Sequence, residues 1–386
     1  MSLFDLFQTE LGDDESSSSE SSSEPAVGSD DEVTVRGAGD KIVDSFKGIL
    51  VGIVCFIASW AVLWCGATRT EQGKIYQKAV PVEGAKEGSL VYITGIPAAD
   101  EIGDGDLLKK GKYLKVKKEI QYYAVKSTKK SETKKEGTKD VTRSWYEYSL
   151  EWTSSPSPIE EQGKTRWKDF AKANKLQEGM TNPTVSEDDK KAGPIYTSSC
   201  KVNDYSIAIN KDVEFMSGSK ELDAVYLKGD KDKPKVGDKR VKYSAYPSDI
   251  QYTFSGDLKG KTIGTHLVDN KGQIVATSGD FNQLVGEKKS EDRMMWWVML
   301  IIGFILMSVG LNGMVGPITT LLDFIPYVGE FGASAIRFVL TLVAAILSIV
   351  FYLLVYYWWI VLIIVAAVVG FLVYRKKTAA PKPAGA

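Results

Sequence analysis

The residues able to do chemistry are few, and their spacing is poor for it. His266 is the single histidine, so any imidazole acting as a general base or activating a nucleophile would have to be this one. It follows a strand-like run, and no serine, cysteine or aspartate lies at a spacing that announces a triad. A structural histidine is the expectation. The three cysteines, Cys55, Cys65 and Cys200, form no zinc-binding pattern with it. Cys200 stands alone in the polar middle of the chain, so no disulfide holds that part together; an intermolecular bridge through Cys65 is the one pairing left open. No dinucleotide fingerprint, phosphate loop or G-x-S-x-G turn occurs. The acidic stretches 100–106 and 187–191 lack calcium-loop spacing. The sequence therefore reads as a non-enzyme with no catalytic, cofactor-binding or metal-binding residue, although carboxylates that converge only in the fold would escape such a reading.

The elements to be positioned are apolar spans. The chain has 386 residues and a formal net charge of −1, which points to neither nucleic acid nor a strongly acidic partner. Its mean hydropathy of −0.12 resembles that of a soluble protein, but the apolar residues are concentrated at 48–67 and from 294 to 374. Residues 48–67 (GILVGIVCFIASWAVLWCGA) carry no charge, and a helix of that length spans about 30 Å of hydrocarbon. A cleaved signal is the competing reading, disfavoured by the long segment ahead of the run and by the lack of a clean cleavage site. A second span is expected at 295–315, opening with Trp296 and Trp297 at headgroup level. Gly303, Gly310 and Gly313 would let a neighbouring helix approach closely. The uncharged run 338–374 would make a helix of roughly 55 Å, too long for one crossing. It divides into spans at 334–356 and 358–374, turning at an aromatic cluster with Trp358 and Trp359 as interface anchors. The last span is short, and a non-crossing hairpin is the alternative. Residues 316–333, apolar with Pro317 and Pro326, suggest an interfacial or re-entrant connection. Asn312 and Arg337 are the intramembrane polar candidates; Arg337 lies at a helix end, where snorkelling is the plainer account.

Four spans with basic flanks (Arg36, Lys41 and Lys47 before the first, Arg375, Lys376 and Lys377 after the last) put both termini in the cytoplasm. A domain at 75–285 then lies on the other side. Residues 13–32 hold eight acids, eight serines and no base, so the 1–40 tail is expected to be disordered. Ahead of the acidic run, Leu3, Phe4, Leu6, Phe7 and Leu11 have roughly helical spacing. The 375–386 tail is basic. The middle domain alternates in the manner of strands, most clearly at 144–152, where Tyr146, Tyr148, Leu150 and Trp152 share one face. Residues 165–176 make the best helix. The expectation is a predominantly β, mixed α+β domain, with 126–143 as a solvated basic loop between two strands.

Several of these segments, taken in order, resemble the transmembrane protein 43 family, also called LUMA. They are LVYITG at 90–95, IQYYAV at 120–125, YEYSLEW at 146–152, PKVGDKR at 234–240 and GDF at 279–281, followed by the closing spans. The resemblance covers roughly residues 45–374, leaving out the acidic tail and the 126–143 insertion. It implies a membrane organiser of the endoplasmic reticulum and inner nuclear membrane that self-associates and binds envelope proteins such as emerin and lamins. It supplies no catalytic residue. Prokaryotic relatives exist, and the chain has no acceptable N-x-S/T sequon because Asn182-Pro183-Thr184 is spoiled by its proline. A bacterial cytoplasmic membrane with the domain outside is thus favoured over a lumenal placement.

Two functions from different classes follow. One is a self-associating, non-catalytic scaffold whose partners are the bilayer, further copies of itself and membrane or envelope proteins. The other is a transport or lipid-handling component that uses the C-terminal bundle, with Asn312 and Arg337 as its sensitive residues.

Overall fold

The structure is a computed structural model and describes residues 31–36, 38–105, 107–136, 139–177, 179–191, 193–322 and 329–378. The N-terminal apolar segment, the acidic serine run as far as residue 30 and the tail beyond 378 lie outside these residues. The main elements, in chain order, are β1 (Glu32–Arg36), α1 (Ala38–Ala67), β2 (Leu90–Gly95), β3 (Tyr113–Glu136), β4 (Lys139–Thr153), α2 (Thr165–Ala173), β5 (Lys239–Pro247), β6 (Tyr252–Lys259), β7 (His266–Val268), β8 (Lys271–Ser278), α3 (Phe281–Leu322), α4 (Gly329–Tyr356) and α5 (Trp358–Thr378). They form two compact units, one β-rich (75–287 with 31–36) and one of apolar helices (38–74 and 288–378).

The β-rich unit contains two sheets. In the first, the order runs β1–β4–β3–β5, with the short strand Lys220–Glu221 beyond β5. β3 and β4 form a long antiparallel hairpin in register from Tyr122↔Thr153 to Glu136↔Lys139. The stretch expected as a loop at 126–143 is therefore mostly strand. Thr133 and Thr142 share a hydroxyl contact of 2.9 Å across the ladder, and Lys126 pairs with Glu151 at 3.2 Å. β1 pairs with β4 from Glu32↔Ser144 to Arg36↔Asp140, so part of the expected disordered tail is an edge strand. The apolar face of β4 seats α2: Trp167, Phe170 and Ala171 recur at helical spacing, and the Trp167 and Tyr148 rings meet edge-on at 5.2 Å. α2 stops where Lys175 takes a left-handed φ of 55°.

In the second sheet β6 lies between β2 and β8. Period-2 alternation points Val91 and Ile93, Tyr252 and Phe254, and Ile274 and Ala276 into one core, where none is more than 2 % exposed. The β7–β8 hairpin turns at Asp269 and Asn270, whose φ values of 49° and 63° suit a type I′ turn.

Two carboxylates bind loops to these sheets. Asp104 accepts bonds from the Leu107 and Leu108 amides (2.9 and 2.7 Å), from Lys118 Nζ (3.0 Å) and from the Tyr243 hydroxyl. Burial works to raise its pKa, but these donors prevail and hold the carboxyl far below the usual range. Asp189, in the single helical turn Glu187–Lys190, accepts from the Tyr122 hydroxyl and from Lys239 Nζ at 2.8 Å. Burial again opposes, and the bonds from Lys239 and Tyr122 hold it at about 2.

In the helical unit, three stretches are long and apolar enough to cross a membrane: Phe46–Tyr76, Phe281–Ile318 and Ser334–Tyr356. Leu63, Met307, Ala344 and Tyr352 are fully buried between α1, α3 and α4, and Trp60 meets Phe351 edge-on at 4.2 Å. The expected connection at 316–333 begins as helix, because α3 continues through Pro317 to Leu322; residues 323–328 lie outside the described ones. Proline removes one amide donor from the ladder, which a helix tolerates where neighbouring helices support it. α4 and α5 meet at Tyr357, within the aromatic cluster where the turn was expected.

Candidate functional site

The glycines of α3 form the seam with α1. A Cβ on Gly310 would lie 2.7 Å from the Phe56 nitrogen and 2.9 Å from its Cα, and one on Gly313 would lie 2.9 Å from the Gly48 oxygen. Gly52 answers from α1, where a Cβ would come 2.8 Å from the Met314 nitrogen. A Cβ on Gly303 would lie 2.4 Å from the Leu63 side chain. Backbone approach of this kind is what small residues permit in a bilayer. Within this chain Gly310 and Gly313 are thus occupied by its own first helix.

Asn312 lies on α3 beside α4. Its amide nitrogen donates to the Ser308 carbonyl at 3.0 Å and reaches the Thr341 hydroxyl at 3.5 Å. The Thr341 hydroxyl in turn donates to the Arg337 carbonyl at 2.9 Å. The Asn312 side-chain oxygen is buried without a partner, whereas Arg337 is exposed. Trp296 packs edge-on to Tyr352 at 5.0 Å, while Trp297, Trp358 and Trp359 are more than half exposed, as interface anchors would be. In the other unit, His266 Nδ1 lies 2.8 Å from the Asp257 carboxylate and its ring lies edge-on to Tyr76 at 6.1 Å. Cys200 is 2 % exposed, and burial pushes its thiol up to about 12.

A polar site lies where the ends of α1 and α4 meet residues 289–296 of α3. A cavity of about 330 Å³ is lined by Arg69, Glu71, Lys74, Lys289, Asp292, Arg293, Trp296 and Tyr356, with Gly66, Ala67 and Thr70. Two bonds fix its walls: the Tyr356 hydroxyl donates to Glu71 at 2.9 Å, and the Gly73 amide donates to Asp292 at 2.7 Å. Gly73 is needed for the second, since a Cβ there would lie 2.9 Å from the Lys289 nitrogen. Glu71 is also paired with Lys74 at 2.8 Å. Four bases face two acids, leaving the lining with an excess of positive charge. Arg69 buries its Nη1 with no hydrogen-bond partner in the protein, as Tyr352 does its hydroxyl. An unmade bond of this kind costs about 1–3 kcal/mol. Sequence reasoning saw these residues only as basic flanks, because nothing local says that the end of one span meets the start of another.

Helices of this length and apolarity joined to a β-rich region define an integral membrane protein. The family model described as Transmembrane protein 43 matches residues 122–362, and the chain belongs to that family. No curated protein and no solved structure matches the chain significantly.

Proposed function

We propose that this is a non-catalytic multi-pass membrane protein that self-associates and organises a membrane or envelope protein complex. The observation that supports this reading is family membership over the segment joining the β-rich unit to the helices. In this reading α5 makes a fourth crossing: its apolar stretch Trp358–Leu372 is short but bounded by tryptophans and by Tyr374 and Arg375. The β-rich unit lies on the non-cytoplasmic side, outside a bacterial cytoplasmic membrane or, failing that, in the lumen of the endoplasmic reticulum and nuclear envelope.

One pairing opposes this topology. β1 precedes α1 in the chain and β4 follows it, so a single crossing by α1 puts the two strands on opposite sides. The ladder and the crossing are alternatives, and magnitudes decide between them. A five-residue edge strand gains about 0.5–1.5 kcal/mol per hydrogen bond and loses about 1–2 kcal/mol per ordered residue. With Val33 and Val35 54 % and 51 % exposed, little apolar burial is added. Against this near-zero sum, each Leu, Ile, Val or Phe of α1 gains roughly 0.3–0.6 kcal/mol in hydrocarbon. Keeping both would drag Lys126, Lys129, Lys130 and Lys134 through the bilayer at about 2.5–3.5 kcal/mol each. The crossing wins.

Extracted in mild detergent, the protein is expected to show a defined oligomer by native mass spectrometry, with the same membrane proteins co-purifying in repeated preparations. A clean monomer with no recurring partner would sink the organiser reading.

A further inference from the structure

We propose that the cavity between the ends of α1 and α4 and residues 289–296 of α3 binds the phosphate of an anionic phospholipid, with Arg69 as its principal ligand. This goes beyond the organiser reading and does not depend on self-association.

Three observations converge on it. The first is chemical. Arg69 presents a buried Nη1–H with no partner in the protein, and a guanidinium matches the oxygens of a phosphate through paired, charge-assisted bonds. The second is electrostatic. Glu71 is taken by Lys74 and Tyr356, and Asp292 by the Gly73 amide, so the acids of the lining are engaged and its basic excess faces the cavity. The third is depth. The apolar run of α1 ends at Ala67 and that of α3 begins after Arg293, which puts the lining at the level of lipid headgroups. Trp296, Ala67 and Gly66 supply an apolar shoulder for the glycerol and upper acyl chain, with the Tyr356 ring beside it. A zwitterionic headgroup carries its own cation against the basic lining, so a net anionic lipid is preferred.

A free phosphate ion offers the same oxygens, and the experiment separates the two sources. Full-length protein would be purified in detergent with equimolar phosphatidylglycerol and phosphatidylcholine, and the retained lipid measured by native mass spectrometry. In parallel, its melting temperature would be followed with phosphatidylglycerol or with inorganic phosphate. Wild type is expected to retain phosphatidylglycerol over phosphatidylcholine by about fivefold or more, because both carry the phosphate and only the choline cation meets the basic lining unfavourably, and to melt higher with the lipid but not with inorganic phosphate. Arg69→Gln should lower the retention of phosphatidylglycerol and weaken the preference several-fold. Should that variant fail to fold, Arg293→Gln, an exposed change on the cavity rim, should still weaken the preference by several-fold, while Arg337→Gln should leave it intact. No lipid preference in wild type, or an undiminished one in both Arg69→Gln and Arg293→Gln, would overturn the proposal. Equal stabilisation by inorganic phosphate would overturn the lipid assignment.

Discussion

Replacing Asp104 by alanine is expected to cost the β-rich unit about 3–5 kcal/mol, the penalty for removing one partner of a buried charged network. The carboxylate is only 6 % exposed, and its loss strands two amides, the Tyr243 hydroxyl and the Lys118 ammonium together. The same residue makes the unit acid-sensitive. The carboxyls of both Asp104 and Asp189 have folded pKa values below the unfolded value of about 3.9. Their stabilisation is therefore fully present above about pH 4 and is lost as pH falls through the folded values, near 2 for Asp189 and lower for Asp104. Urea midpoints measured from pH 7 down to pH 2 should fall steeply below pH 4 in the wild type and less steeply in Asp104→Asn. Parallel curves for the two proteins would remove Asp104 from this account.

The second large effect belongs to the helical unit. Gly310→Leu must force α1 away from α3, because the atoms in its path are the Phe56 backbone and not the end of a flexible side chain. Overpacking of a tight core costs about 1–3 kcal/mol, and a backbone obstacle puts this site at the upper end. Gly286→Ala on the same helix meets nothing within 4 Å and should gain about 0.5–1 kcal/mol from the better helix former. Thermal unfolding in detergent distinguishes them. A Gly310→Leu protein that melts like wild type yet loses its oligomer would move the seam from within the chain to between chains.

Much of the architecture was legible because it rests on period and length. Alternation at 144–152 reflects one buried face of β4, and the Asp-Asn-Lys-Gly turn and the charge-free runs are local signals too. The lysine-rich 126–143 misled because its charges suggest solvent, and the exposed strand at 128–134 is free to carry them. Charge says where a side chain points; the backbone ladder forms regardless. Asp104 and Asp189 read as ordinary acidic loops because the partners that bury them, Tyr243 and Lys239, are distant in sequence. The candidate cavity was illegible for the same reason: Arg69 follows α1 while Asp292 and Tyr356 lie on α3 and α4, and only the packing of those helices brings them together. Cys200 stands alone in the polar middle of the sequence, and its position on a short strand in the second sheet's core buries it.

In the proposed topology α1 crosses the membrane and leaves Glu32–Arg36 on the opposite side from the β-rich unit. It is tested by placing single cysteines at two exposed positions, Thr34→Cys and Lys231→Cys, in protein lacking Cys55 and Cys65, and treating sealed cells or vesicles with an impermeant maleimide. The expected result is labelling of Lys231→Cys from the non-cytoplasmic face and of Thr34→Cys only after permeabilisation. Labelling of both from the same face would contradict the crossing and would mean that the β1–β4 ladder holds in the membrane.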